Sequence, residues 1–322
     1  MRLSLSEEQV IACYFDKQQP DPSVALGIGD DAAVIDMPGG RIAVSTDTLV
    51  AGTHFNEMNS DASHLGHKAL AVNLSDLAAM GARPRWALLA LTMPNADSGW
   101  LEDFSDGFFR LANQHGVSLI GGDTTRGPLA MTVQVIGTLD EEHILFRNTA
   151  QVGDGIYVTG RVAETALIML CDDTLKAYPH SHIQCQKRMQ QPTARVAEGL
   201  LLARYATAAI DISDGIFKDL SRLLSASSVG ARVDIDDIPM IPEVAQCCPT
   251  LELLLKVLSY GEDYELLFIL NDTCFDELKL ALSELGTPVT RIGTIEAEQG
   301  LRCYRKSKPV ELPERLGYDH FD

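Results

Sequence analysis

The 322-residue sequence contains no apolar run near the ~20 residues that a membrane helix needs. Its opening stretch, MRLSLSEEQVIACYFDK, carries Glu7, Glu8 and Asp16 and lacks a cleavable-signal layout. The seven cysteines include no CxxC pair and leave one over, a usage that predicts reduced thiols in a cytoplasmic protein. Basic residues are scarce: 26 Lys and Arg stand against 45 Asp and Glu, for a net charge of −19. That excludes a broad basic face for nucleic acid. It also repels phosphorylated ligands unless cations intervene, so a phosphate-handling site here would draw on divalent metals. Repeats and low-complexity segments are absent. So are GxxxxGK followed by Ser or Thr, GxGxxG at a helix start, the HRD/DFG pair, GxSxG, HExxH and the acidic EF-hand loop.

What is present is an ordinary globular composition, 46% hydrophobic and 22% charged, long enough for two cores. Strand-like and helix-like segments alternate, which predicts α/β or α+β layering. A polar, Gly-rich stretch at Arg147–Gly155 predicts a boundary between residues 1–150 and 151–322. Helices are expected over 5–17, within Leu65–Pro84, where Gly81 with Pro84 supplies the stop signal, and over Gly99–Gln114. Strands are expected over 41–50, Trp86–Thr92, Val117–Ile120, Met131–Gly137 and Ile156–Thr159. His180, His182 and Cys185 lie close together but lack a fourth ligand for zinc.

Acidic residues recur in small-residue settings. Asp30 and Asp31 follow Gly27-Ile28-Gly29; Asp47 sits among Ser45, Thr46 and Thr48; Asp76 shares a helix face with Asn73. Asp123 follows Gly121-Gly122, read as a turn after a short strand, and Asp211, Ser213 and Asp214 precede Gly215 at a helix start. Each alone fits a solvated turn or a helix cap. Together, concentrated like charge needs compensation, and hard oxygens beside carboxylates suit Mg²⁺. The strand–turn–helix layout at 208–220 would present free N–H groups to a phosphate, while its carboxylates would need a bridging cation. The reading is an acidic, metal-dependent phosphate site.

The segments GIGDDAAV, STDTLVAGTHF, KALAVNLSDLAAMGARP, LIGGDTTRGP, DISDG and GEDYELLF, in that order, resemble the thiamine-monophosphate kinase family. That family lies within the aminoimidazole ribonucleotide synthetase-like ATP-binding superfamily, and the resemblance spans nearly the whole chain. It implies a two-domain α/β architecture, with an N-terminal ATP/Mg²⁺ and dimerisation domain and a C-terminal domain completing the cleft. It implies ATP-dependent phosphorylation of thiamine monophosphate to thiamine diphosphate by a homodimer, the last step in making that diphosphate. By resemblance, Asp30, Asp31, Ser45, Thr46, Asp47, Asp76, Asp123, Asp211 and Asp214 fall at Mg²⁺ positions. Asp47, Asp76 and Asp123 would assist transfer with no general base. Gly122, Asp123, Arg147 and Ser213 fall at ATP positions, and His54, Glu262 and Tyr318 at thiamine-phosphate positions. One departure stands out: the family commonly reads GGED where this chain has Tyr260-Gly261-Glu262-Asp263. A metal-dependent phosphohydrolase could use the same acidic cluster. Selenophosphate synthetase, with its reactive N-terminal Cys, fits less well, because Cys13 lies in a helix-like setting.

Overall fold

A computed structural model of the chain describes residues 6–11, 13, 22–56 and 60–320. Strands β1 (Val24–Leu26), β2 (Ala33–Met37), β3 (Gly40–Val50), β4 (Arg83–Met93), β5 (Ser118–Arg126) and β6 (Ala130–Leu139) form one sheet, in the order β1-β2-β3-β6-β4-β5. Strands β7 (Gly155–Thr159), β8 (Ala208–Asp211), β9 (Gly230–Asp234), β10 (Leu266–Leu270), β11 (Val289–Glu296), β12 (Gly300–Arg305) and β13 (Lys308–Val310) form the second, ordered β13-β12-β9-β11-β7-β10-β8. Among the strands of the described residues, only β4–β5 and β9–β12 pair in parallel. The α/β layering expected from the alternation of elements is present.

Helices α1 (Glu7–Val10), α2 (Ala62–Ala79) and α3 (Ser98–His115) precede or interrupt the first sheet. Helices α4 (Glu164–Leu175), α5 (Pro179–Gln190), α6 (Val196–Leu202), α7 (Ile216–Ser227), α8 (Val244–Cys247), α9 (Leu251–Leu258) and α10 (Phe275–Glu284) belong to the second half. Of the helix expected over 5–17, Glu7–Val10 is helical, while residues 5, 12 and 14–17 lie outside the described residues. No helix among the described residues is long and apolar enough to cross a membrane.

Helix α2 is the axis of the molecule. It packs on β3 and β6, on α3 and α6, and on β8 of the second half. Contact on all sides explains why its sequence is apolar all round rather than striped. Leu70, Leu74 and Leu77 are fully buried, each contributing about 1.5–3 kcal/mol through removal from water. Asp61 caps its start by accepting from His64 N at 3.1 Å. The helix stops at Ala79, just before the expected stop residues: Gly81 adopts φ 67°, and Pro84 already lies in β4. Its fit against α3 is backbone to backbone. A Cβ on Gly66 would lie 2.0 Å from Phe104 O, and one on Gly107 would lie 1.9 Å from Ser63 O.

Strands β7 and β10 are buried along their whole length, so GIYVT and LLFIL read as continuous rather than alternating. The core around α2 also takes in Tyr157, Phe268 and Leu278 from the second half. The opposite face of the first sheet is uncovered by any helix among the described residues. Trp86 (37% exposed) and Ile120 (56% exposed) stand on it.

Candidate active site

Three carboxylates from three separate elements converge where the halves meet. Asp31 precedes β2, Asp76 lies on α2 and Asp211 ends β8, and one oxygen from each lies within 4.8 Å of the others. Among the described residues this is the only such His/Cys/Asp/Glu group, so the His180, His182 and Cys185 trio does not form one. His182 instead pairs with Asp172 at 2.7 Å.

Hydroxyls hold two of the carboxylates. Ser45 Oγ donates to Asp76 Oδ2 at 2.5 Å, and Ser75 Oγ donates to Asp211 Oδ2 at 2.6 Å. Asp47 is fixed through its backbone N–H, which donates to Asn73 Oδ1 at 2.9 Å. Asn73 in turn donates from Nδ2 to Ala69 O. Thr46 Oγ1 is turned to Val133 O at 3.0 Å. Burial, then Asp47, Asp211 and Asp31, hold the Asp76 carboxyl well above the usual carboxylate range. Burial and Asp31 do the same to Asp211, and burial with Asp31 pushes Asp30 up to about 6. Charge here is concentrated beyond what the local cations neutralise.

Arg147 supplies part of the compensation. Its Nη2 and Nε donate to the two oxygens of Asp31 at 2.7 and 3.0 Å, and its backbone N–H donates to Asp30 Oδ2 at 3.0 Å. The guanidinium is thus a bidentate brace on the Asp30–Asp31 turn.

A cleft of about 1360 Å³ opens beside this cluster. Asp47, Asp76, Asp211, Ser213 and Asp214 line it, and so do His54, Glu262 and Tyr318. His54 Nδ1 accepts from Val50 N at 3.0 Å; burial and the nearby His320 ring lower its pKa. Tyr318 is seated by its backbone: Tyr318 N donates to Asp214 O at 2.9 Å, and Lys218 Nζ reaches Tyr318 O. Phe321 and Asp322 of the aromatic tail lie outside the described residues.

Two expectations need correction. The N–H groups of Ser213, Asp214 and Gly215 are not free for a phosphate. All three donate to Asp219 Oδ2, at 3.0, 2.9 and 3.1 Å. Asp219, four residues beyond Gly215 on α7, folds back as an internal anion and takes the place a ligand would have had. Asp214 is held separately, by Arg222 at 2.7 Å and Lys218 at 3.1 Å.

The second concerns Gly122 and Asp123, which lie inside strand β5 rather than in a turn after it. In register, Thr48 pairs with Thr132, Thr132 with Ala90, and Ala90 with Asp123. Three strand spacings of ~4.8 Å put Asp123 about 14 Å from β3. Within one chain it does not join the other carboxylates. Gly122 is needed where it is: at φ 147°, a Cβ there would lie 1.9 Å from Leu89 O.

Sequence reasoning missed Lys68, Ser75, Asp219 and Arg222. Lys68 had a signal of its own, a lone cation inside an apolar helix that must find a carboxylate. It finds Glu262, at 3.0 and 2.9 Å to the two oxygens.

Residues 29–139 match the N-terminal domain of the AIR synthase related proteins, and residues 151–306 match their C-terminal domain. The thiamine-monophosphate kinase of Escherichia coli K12 is 44% identical over 324 residues, covering 99% of each chain. The crystal structure of thiamine-monophosphate kinase from Stenotrophomonas maltophilia K279a shares 37% identity, with a TM-score of 0.76 over 96% of this chain and 99% of that one. A solved complex, AaThiL with AMPPCP and TMP, reaches a TM-score of 0.82 at 28% identity, covering 98% and 97%. Full-length identity and a shared two-domain fold have one consequence: the chain belongs to the thiamine-monophosphate kinase family of AIR synthase related proteins.

Proposed function

We propose that the chain transfers the γ-phosphate of ATP directly to thiamine monophosphate, forming thiamine diphosphate and ADP. The observation that carries this reading is the convergence of Asp31, Asp76 and Asp211 at one end of a large cleft. Their donor set, carboxylate oxygens with adjacent hydroxyls and like charge left over, fits Mg²⁺. When bound, Mg²⁺ neutralises the polyphosphate and the phosphoryl group in transit. Asp47 and Asp214 line the same cleft and extend its acidic surface.

The residues present suit in-line transfer without a base. A phosphate monoester has a second pKa near ~6 and is already a nucleophile at neutral pH. His54, with Nδ1 taken by a backbone N–H, orients an acceptor rather than deprotonating it. Tyr318 offers a ring face to the cationic thiazolium, and Glu262 offers a carboxylate in the same cleft.

The working form in this reading is a homodimer. The uncovered sheet face carrying Trp86 and Ile120 is the surface a second copy would cover. Asp123 shares a row with Ala90 and Thr132 on that face, so Gly122 and Asp123 would meet nucleotide only across the interface.

The test is an assay with ATP, Mg²⁺ and thiamine monophosphate that follows ADP and thiamine diphosphate together. Equal formation of both, abolished by EDTA, supports the reading. ADP without thiamine diphosphate overturns it in favour of an ATPase or another acceptor.

A further inference from the structure

Lys68 is 5% exposed, yet its ammonium group reaches the cleft wall from α2, two turns before Asp76. It gives two hydrogen bonds to a single carboxylate, Glu262. Glu262 comes from the other half of the molecule, on a segment whose backbone is left-handed at Gly261 (φ 88°), Glu262 (φ 61°) and Tyr264 (φ 51°). Such conformations cost energy at non-glycine residues and persist where the surroundings enforce them. Here Glu262 N donates to Ser213 O, Tyr264 N donates to Ile212 O, and Asp263 accepts from Ala163 N. With the segment held by these contacts, the Glu262 carboxylate lies against Lys68.

Permanent cations are rare on this wall. Among the described residues lining the cleft, Lys and Arg are represented by Lys68 and Arg222. Arg222 is committed to Asp214, Asp219 and Glu8, at 2.7, 3.0 and 2.8 Å. His54 is held toward its neutral form by burial and His320. Among the described residues lining so acidic a cleft, an entering anion has Lys68 as the cation left to meet, and an ammonium group carries three donors.

We infer that Lys68 binds the acceptor phosphate, and that in the free enzyme Glu262 occupies its place. This deepens the kinase reading above and rests on it. A ligand carrying both a cation and a phosphate exchanges partners with the pair: its phosphate takes Lys68, and its cation takes Glu262. No uncompensated charge is buried at either stage, whereas a phosphate alone would strand Glu262 and a cation alone would strand Lys68. The pair therefore selects a zwitterionic acceptor over either half of it.

The test uses the full-length enzyme and compares wild type with Lys68→Met, Lys68→Arg and the double variant Lys68→Met/Glu262→Gln. Steady-state kinetics give KM for thiamine monophosphate and for ATP, and calorimetry gives the affinity for unphosphorylated thiamine. In Lys68→Met, KM for thiamine monophosphate is expected to rise about tenfold or more, with KM for ATP unchanged and thiamine bound at least as tightly. Lys68→Arg recovers part of the loss. The double variant leaves no charge unpaired, melts like wild type and keeps the raised KM. An unchanged KM for thiamine monophosphate in the double variant overturns the inference. So does a parallel loss of affinity for thiamine, which marks Lys68 as a purely structural tie. A wild-type enzyme that makes no thiamine diphosphate sinks the kinase reading itself; an active wild type indifferent to Lys68 sinks only this inference.

Discussion

Ser75 and Asp211 join the two halves of the molecule at its most acidic point. Ser75 Oγ, on the helix that supports the first sheet, donates to Asp211 Oδ2, at the end of a strand of the second, at 2.6 Å. The neighbouring residue on that helix is Asp76, so one turn of α2 both contributes a carboxylate and orients another. Replacing Ser75 with Ala removes a fully buried donor and leaves Asp211 with less to offset its burial. The expected cost is about 1–3 kcal/mol in stability. The apparent Mg²⁺ requirement for turnover should rise as well, because the oxygen is no longer fixed. Urea denaturation and a Mg²⁺ titration of activity measure the two effects; a variant unchanged in both removes Ser75 from this role.

Asp219 organises the DISDG turn from within the fold. One carboxylate oxygen collects three consecutive N–H groups of the DISDG turn, and the other receives Arg222 at 3.0 Å. Asp219→Ala strands those donors in a buried place and should cost on the order of 3 kcal/mol or more. Asp219→Asn keeps one acceptor oxygen and should lose less. Thermal melting of the two variants checks the order, and equal melting temperatures would contradict it.

The acidic sites were legible because their physical signature is local. Asp31, Asp76 and Asp211 stand beside small residues and hydroxyls, and a carboxylate in an apolar helix such as α2 announces that a partner is near. What was not legible depends on distance in space. Asp219 reads as an ordinary first-turn acid on α7, since nothing in the sequence says that the turn curls back over it. Gly121 and Gly122 read as a turn because glycine weakens strands; β5 tolerates them as an edge strand pressed against Leu89. The strands at Met131–Gly137 and Ile156–Thr159 were plain from their own residues, and so was the end of α2, where Gly81 turns with φ 67°.

His67, on α2 outside the cleft, gives the chain an acid-sensitive point. Its Nε2 lies 2.9 Å from Pro192 O, and burial, followed by the charges of His64, Arg110 and Lys187, lowers its pKa below the ordinary value of 6.5. The unfolded chain takes up this proton near pH ~6.5 while the folded chain resists it, so stability falls as pH drops from there toward the depressed folded value. His67→Gln removes the titration and keeps a donor for Pro192. Melting temperatures at about pH 7.5 and about pH 5.5 should show wild type losing more than the variant. Equal losses would mean that His67 is protonated as readily in the folded state.

Asp76 and Asp123 provide the sharpest test of the proposed dimer. Asp76 stands in the carboxylate cluster, whereas Asp123 stands on the open sheet face three strands away from β3. If both serve one reaction, each working site takes Asp76 from one copy and Asp123 from the other. Asp76→Ala and Asp123→Ala should then each abolish turnover as homodimers while melting like folded protein. Mixed after mild dissociation, half of the dimers are heterodimers. Each heterodimer holds one site with both substitutions and one site with neither, so activity should return to about a quarter of wild type. A mixture that stays inactive, with subunit exchange demonstrated by tagged pull-down, would show that the two residues do not meet across an interface. Full activity in the Asp123→Ala homodimer would show that β5 takes no part in the chemistry, and the uncovered face would then need another explanation.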